Sequence, residues 1–264
     1  MKKICCVGDN CIDYYEEIDM AKLGGNPVNV SVYIKQLGGE SSYVGAVGTD
    51  DFGKLMIDGI RNEGVDVSNV QINPGKTAVT QVKISGNERI LGDYDEGVMK
   101  NFKLTEENRK FILEHDLVVS GYWGNTEKEF KYFKENKIAT AFDFATNIKS
   151  DLTNETLPYV DYAFFSDDEL SEDYEGLKKF MKDLYKKGPK MVIVTRGEKG
   201  SVVYDGKKFY EHGIIPCKVI DTLGAGDSYI AGFLFSIVDG KSIEEAMETG
   251  ANRSSKTISY EGAW

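Results

Sequence analysis

Short apolar or β-branched runs alternate along this chain with stretches of helical period, the pattern of a largely parallel sheet covered by helices on both faces. The runs Lys3 to Gly8, Tyr43 to Val47, Leu117 to Ser120, Ala139 to Phe144, Tyr162 to Phe165, Met191 to Thr195 and Ser201 to Tyr204 read as strands. Between them, Asn26 before Pro27 reads as an N-cap followed by a proline at the first helical position. Thr126 with Glu129 and Ser242 with Glu245 read as capping boxes, and Gly38, Gly64 and Gly188 stand where helices should stop. The fold class expected is α/β.

One region interrupts the alternation. Thr77 to Ile84 is strand-like, Ser85-Gly86-Asn87 makes a turn, and Arg89-Ile90-Leu91 reads as a return strand. Together with the polar and aromatic segment Asp9 to Asp19, this hairpin could form a small sheet over a site, or simply lie on the surface. No repeat of 20 to 50 residues and no linker composition divides the chain, so residues 1–264 are read as one domain, with about 9–20 and 77–98 as its lid.

Composition narrows the function classes. A formal charge of −11 opposes binding to a phosphate backbone, so no nucleic-acid partner is expected. The longest nearly apolar stretch, Ile230 to Val238, is far short of the roughly 20 residues of a membrane span, and Ile4 to Val7 is too short for a secretory signal. The expectation is a cytoplasmic protein without a membrane partner. Cys5, Cys6, Cys11 and Cys217 lack metal or redox spacing and read as buried reduced thiols, while His115 and His212 each stand alone, which excludes a helical zinc pair.

The chemistry concentrates near residue 221. Asp221-Thr222-Leu223-Gly224-Ala225-Gly226-Asp227 precedes a strongly apolar helical pattern. Small residues ahead of a helix let the backbone approach a ligand, and its free N–H groups and dipole attract an anion. Asp227 falls in the first turn, where a carboxylate could take a proton from an attacking hydroxyl. An ordinary glycine turn would explain a bare Gly-x-Gly, but six specified positions arise by chance in such a chain with a probability on the order of 10⁻⁵. The segment from Gly48 to Lys54 mimics a P-loop, yet Leu55 stands where a hydroxyl is needed and Asp50 and Asp51 would repel phosphates.

That heptad resembles the second signature of the ribokinase-like (PfkB) carbohydrate kinases. Gly24-Gly25-Asn26-Pro27-Val28-Asn29-Val30-Ser31, followed by Gly38 and Gly48, resembles the first. Thr195-Arg196-Gly197-Glu198-Lys199-Gly200 is similar to the family's nucleotide-binding turn, Gly250-Ala251-Asn252 to the segment flanking the adenine, and Ser166-Asp167-Asp168-Glu169 to its N-x-x-E motif, with Ser166 in place of asparagine. The resemblance covers essentially the whole chain. It implies a three-layer α/β/α sandwich with a mostly parallel central sheet and a small β-sheet lid.

The resemblance also implies roles. Asp227 would be the catalytic base beside the Gly224, Ala225 and Gly226 amides; Ser166, Thr195, Gly197, Gly200, Thr222, Ala251 and Asn252 would meet ATP. Glu169 would orient Mg²⁺ through water, and Asp221 lies near a possible K⁺ site. Asp9, Asp13, Gly25 and Asn29 would face the sugar; the bottom-up alternative for Asp9 and Asp13 is ordinary loop carboxylates. The lid of this family often packs against a second subunit, with which Tyr14 and Tyr15 are compatible, so a homodimer through the lid is expected.

Further positions resemble one branch of the family, the fructoselysine 6-kinases: Gly8-Asp9-Asn10-Cys11 with Asp13, Gly92-Asp93-Tyr94 with Glu96 to Met99, Ala141 to Phe144, and Gly262-Ala263-Trp264. That branch implies a glycated amino acid as substrate, phosphorylated on the sugar's primary hydroxyl. Asp13, Glu16, Glu17, Asp93, Asp95 and Glu96 could attract its amine and Arg89 its carboxylate, or these could be solvated lid charges. A kinase for another small sugar, sugar acid or nucleoside, or a non-catalytic binding relative, is the alternative.

Overall fold

The structure is a computed structural model that describes residues 2–85, 88–167 and 173–264, without the side chains of 84–91. In chain order the first half runs β1 (Lys3–Val7), β2 (Cys11–Tyr15), β3 (Met20–Gly24), α1 (Asn26–Gln36), β4 (Glu40–Val44), β5 (Ala46–Gly48), α2 (Asp51–Asn62), β6 (Gln71–Asn73), β7 (Val79–Ser85), β8 (Glu88–Asp95), α3 (Glu106–Ile112) and β9 (Leu117–Gly121). The second half runs α4 (Phe130–Glu135), β10 (Ala139–Asp143), α5 (Asp151–Thr156), β11 (Tyr162–Ser166), α6 (Tyr174–Tyr185), β12 (Met191–Thr195), β13 (Ser201–Tyr204), β14 (Phe209–His212), α7 (Ala225–Val238) and α8 (Ile243–Thr257).

Eight strands form the central sheet in the order β14-β13-β12-β11-β10-β9-β1-β4. Six of them, from β12 to β4, are parallel; β13 and β14 close the other edge antiparallel. Strand β1 shows why the sheet is sandwiched. Its apolar residues run without interruption, as buried parallel strands require: Cys5 and Val7 enter one core with Phe130, Phe133 and Phe142, while Ile4 and Cys6 enter another with Val30, Phe233 and Leu234. The α/β/α sandwich expected from the sequence is the fold observed.

The inserted hairpin belongs to a separate four-stranded sheet, in the order β3-β2-β7-β8. Ile12 of β2 packs with Val28 and Val32 of α1 and with Met56 and Ile60 of α2, so this sheet is seated on the body by its own apolar cluster. Its first arm reaches Gly24, further than the expected residue 20. Of the two tyrosines offered to a second subunit, Tyr15 is buried within the chain, and Tyr14 packs on Phe52 with ring centroids 5.6 Å apart.

Several local readings change. The expected strand Tyr43 to Val47 is two, because the chain leaves the central sheet at Gly45 and β5 pairs with β6 instead. β14 and β6 carry too few apolar residues to stand out. Thr126 caps no helix; its hydroxyl meets Ser120 Oγ at 2.6 Å, while Ser242 and Glu245 do form a capping box. Cys5 and Cys6 are buried as expected, whereas Cys11 is half-buried and Cys217 is exposed. Among the described residues, no helix is long and apolar enough to cross a membrane.

Candidate active site

α7 begins where the sequence is smallest. Gly224 caps it with φ of +73°, a left-handed conformation that side chains rarely adopt, and a Cβ there would run into the Tyr33 hydroxyl and crowd Ala263 at 3.2 Å. The Ala225 N–H turns back onto the Thr222 carbonyl at 3.2 Å. The N–H groups of Gly226 and Asp227, the next two of the helix, have no acceptor within it and carry the positive end of its dipole. Asp221 to Asp227 line a cavity of about 370 Å³ at this tip. Asp221 itself pins two backbone segments, accepting from the N–H of Leu223 at 3.1 Å and of Gly262 at 2.8 Å.

Asp227 is held between two amides. Asn26 Nδ2 donates to its Oδ1 and Asn29 Nδ2 to its Oδ2, each at 2.7 Å. The Asn26 reading as an N-cap is thus corrected: Gly25 occupies the capping position with φ of +108°, and the Asn26 side chain turns into the site. A Cβ at Gly25 would stand 2.7 Å from Asn10 Cα, so glycine lets the strand β3 meet α1 directly over the end of β1. Asn26 Nδ2 also donates to Asp143 Oδ2 at 2.9 Å, and its backbone N–H reaches Asp9 Oδ2 at 3.3 Å.

Three carboxylates therefore gather at the carboxyl edge of the sheet, where open α/β sheets bind ligands. Burial, together with their mutual repulsion, pushes Asp9 up to about 6 and Asp143 up to about 7. Asp227 is raised by burial too, against the two amides that favour its charged form. Asp9 is 8% exposed and its Oδ1 lacks a hydrogen-bond partner among the described residues, which leaves one oxygen to meet a ligand. Each Asp227 oxygen likewise has a second lone pair beyond the bond from its asparagine.

The other expected sugar residues divide. Asp9, Gly25 and Asn29 lie around Asp227, and Asp13 stands on β2 of the small sheet, opposite Lys22 of β3. Asp93 is exposed on β8, and the Arg89 side chain lies outside the described residues. Asp143 and Trp264, which lie in segments resembling the fructoselysine 6-kinase branch, also reach this site. Trp264 Nε1 donates to Asn29 Oδ1 at 2.8 Å.

Beside the α7 tip lies a cavity of about 540 Å³, within the range of small-molecule sites. Ser166, Thr195, Gly197, Gly200, Thr222 and Ala251 line it, as do Ala225 and Gly226, so it is continuous with the amide tip. Its walls include Ile214, Pro216, Val219, Tyr229 and Ile258, an apolar slot of the kind that takes a flat base. Asn252 is not on the wall; it is exposed on α8, and Ser254, Ser255 and Ile258 share the stripe of Ala251 instead. The helical spacing from Ala251 would have singled those three out. Glu169 lies outside the described residues. Among the described residues, no group of three or more His, Cys, Asp or Glu side chains could hold a metal ion.

The chain is matched over residues 1–264 by the model of the pfkB family carbohydrate kinases. It is 41% identical to the fructoselysine 6-kinase of Shigella flexneri over 264 residues, all of both chains. It is 34% identical to the fructosamine kinase FrlD of Bacillus subtilis, over 99% of this chain and 93% of that one. Among solved structures, an Arabidopsis thaliana ribokinase complexed with ribose and ATP superposes with a TM-score of 0.84 at 23% identity, covering 98% of this chain and 93% of that one. Its likeness is one of fold. With a full-length family match and full-length relatives, this chain belongs to the pfkB family of carbohydrate kinases.

Proposed function

We propose that the chain transfers the γ-phosphoryl group of ATP to the 6-hydroxyl of fructoselysine, with Asp227 as general base. The observation that carries this reading is the placement of Asp227 by Asn26 and Asn29 between the amide tip of α7 and the acids of the sheet edge. The triphosphate would run from the apolar cavity to the free amides of Gly226 and Asp227, which neutralise charge on the transferring group without reorganising. Asp227, raised by burial, would take the hydroxyl proton, since a base works best when its pKa approaches the ambient pH.

Thr195, Gly197 and Ala251 would face the nucleotide, and Ser166 would stand where the family's asparagine does. By the family resemblance Glu169 would orient Mg²⁺ through water, and the ion would supply charge neutralisation to the phosphates. Asp9, Asp13 and Asn29 would meet sugar hydroxyls. Acid surplus here suits a substrate that carries a secondary ammonium beside its sugar, and the relatives named for fructoselysine and fructosamine support that choice. ATP and a reduced-thiol chain agree with a cytoplasmic setting.

Comparison of kcat/KM for fructoselysine, fructose, ribose and adenosine tests the assignment. Fructoselysine is expected to lead the others by about 10² or more, since an analogue lacking its polar groups leaves buried partners of the site unpaired, a loss that can reach about 10⁴ to 10⁵. Equal values for fructose and fructoselysine would remove the glycated amino acid from the reading and leave a hexose kinase.

A further inference from the structure

The segment Gly262 to Trp264 is held by hydrogen bonds as well as by packing. The Gly262 N–H donates to Asp221 Oδ2 at 2.8 Å, and the hydroxyls of Tyr33 and Tyr260 both donate to the Ala263 carbonyl, the latter at 3.1 Å. Gly262 takes a φ of +90° to make that turn. These bonds tie the segment to the loop entering α7 and to α1. They deliver the Trp264 ring into the seam between the core under α1 and the cluster beneath the lid. There its Nε1–H lies 2.8 Å from Asn29 Oδ1.

We propose that Trp264 is a positioning residue for phosphoryl transfer: its indole N–H fixes the Asn29 amide so that the NH₂ group faces Asp227. An amide can be turned over, exchanging donor for acceptor, and only its partners decide. Indole N–H is a donor alone and must meet the amide oxygen, which directs Nδ2 to Asp227 Oδ2 at 2.7 Å. Without the indole, a turned amide would present its oxygen to the carboxylate, replacing an attraction by a repulsion. Bonds that orient a reacting group from one step further out are a common source of such loss. The inference rests on Asp227 as the base.

The test replaces one atom group. Benzothienylalanine at position 264 keeps the two-ring shape and puts sulfur where the N–H was; Trp264→Phe is a second variant. Purified proteins are assayed with ATP and fructoselysine across pH, alongside thermal midpoints and Asp227→Asn. The inference expects the sulfur variant to lose about tenfold in kcat, the scale of one hydrogen bond to a charged group, with little change in the KM for ATP. Its acid limb should move up by about half a pH unit, because Asp227 loses a bond that favoured its charged form. Asp9 and Asp143, pushed up to about 6 and about 7, share this limb, and Tyr33 also faces Asp227, but none is altered by the replacement, so the difference in limb between the sulfur variant and the parent reports Asp227. A parental kcat and limb in the sulfur variant would overturn the inference, as would a lower thermal midpoint with a lower kcat and an unmoved limb, the mark of lost packing. If Asp227→Asn keeps the parental rate, the base reading falls and this inference with it; if Asp227→Asn is inactive and the sulfur variant is parental, only the role of Trp264 falls.

Discussion

Asn26 Nδ2 lies 2.7 Å from Asp227 Oδ1, and the same nitrogen lies 2.9 Å from Asp143 Oδ2. One amide thus separates two buried acids that would otherwise repel at close range, and it does so from the first residue of α1. The carboxylate proposed to act as base is kept usable by the residue directly after the glycine pair of the first signature.

Removing that amide should therefore be costly in a recognisable way. Asn26→Ala is expected to lower kcat by about 10 to 10²-fold, because a hydrogen bond to a charged group is lost. The acid limb of the rate should move up, since the bond from Asn26 favours the charged form of Asp227. A pH profile of steady-state turnover checks both; an unchanged limb would show that Asn26 does not set the ionisation of Asp227.

Asp143→Asn should separate rate from stability. Asparagine can still accept the Asn26 bond, and Asp143, raised by burial and in part by the Asp227 charge, is protonated where Asp227 titrates, so the acid limb should stay at its parental position. Stability should change instead. Asp143 is pushed up to about 7 in the folded protein, far above an unfolded aspartate, so the folded state holds its proton more tightly. Its contribution is fully present below the unfolded value and lost as pH rises through about 7. Asp143→Asn should therefore raise the thermal midpoint at pH 8 by about 2–4 °C, and the gain should vanish toward pH 4, as scanning calorimetry without ligands can measure. A variant less stable than the parent at both extremes would contradict the assignment of Asp143 as a strained buried acid.

The layered fold was plain from alternating strand and helix patterns, because parallel strands buried on both faces must be continuously apolar, as Ile4 to Val7 and Met191 to Val194 are. The base and its glycine tip were legible because anion binding at a helix start needs a compact local motif. The environment of Asp227 was not. Asn26 looked like a helix cap, since an asparagine before a proline satisfies that local rule, and only the left-handed Gly25 next to it turns the side chain inward. Asn29, Asp143 and Trp264 come together over separations of more than 100 residues, which no spacing rule reaches. Asn252 failed for a simpler reason: a helix presents every third or fourth residue to a cavity, and it is one place away from Ala251.

Gly224→Ala should damage both fold and catalysis. The left-handed φ of +73° opposes any Cβ, and the added methyl would collide with the Tyr33 hydroxyl and crowd Ala263, the contacts that hold the tip of α7. A loss of about 1–3 kcal/mol is expected, with kcat falling further than stability alone explains. Denaturant unfolding and turnover measured on the same preparation check this; full activity would show that the tip tolerates displacement.

Cys217 offers a handle on the nucleotide cavity, because it is exposed and lines the wall beside Pro216. N-ethylmaleimide should inactivate the parent, ATP should protect it, and fructoselysine alone should not. Cys217→Ser should resist the reagent while keeping its turnover within about twofold, as surface substitutions usually do. Protection by the sugar and not by ATP would place the nucleotide elsewhere.

The central claim is that Asp227 accepts the proton of the sugar hydroxyl as the phosphoryl group passes the tip of α7. Its most direct test is ADP release by purified Asp227→Asn and parent protein at saturating ATP and fructoselysine. The account predicts a fall in kcat of about 10² or more, the usual contribution of a general base. Equal ADP release by the two proteins would contradict it.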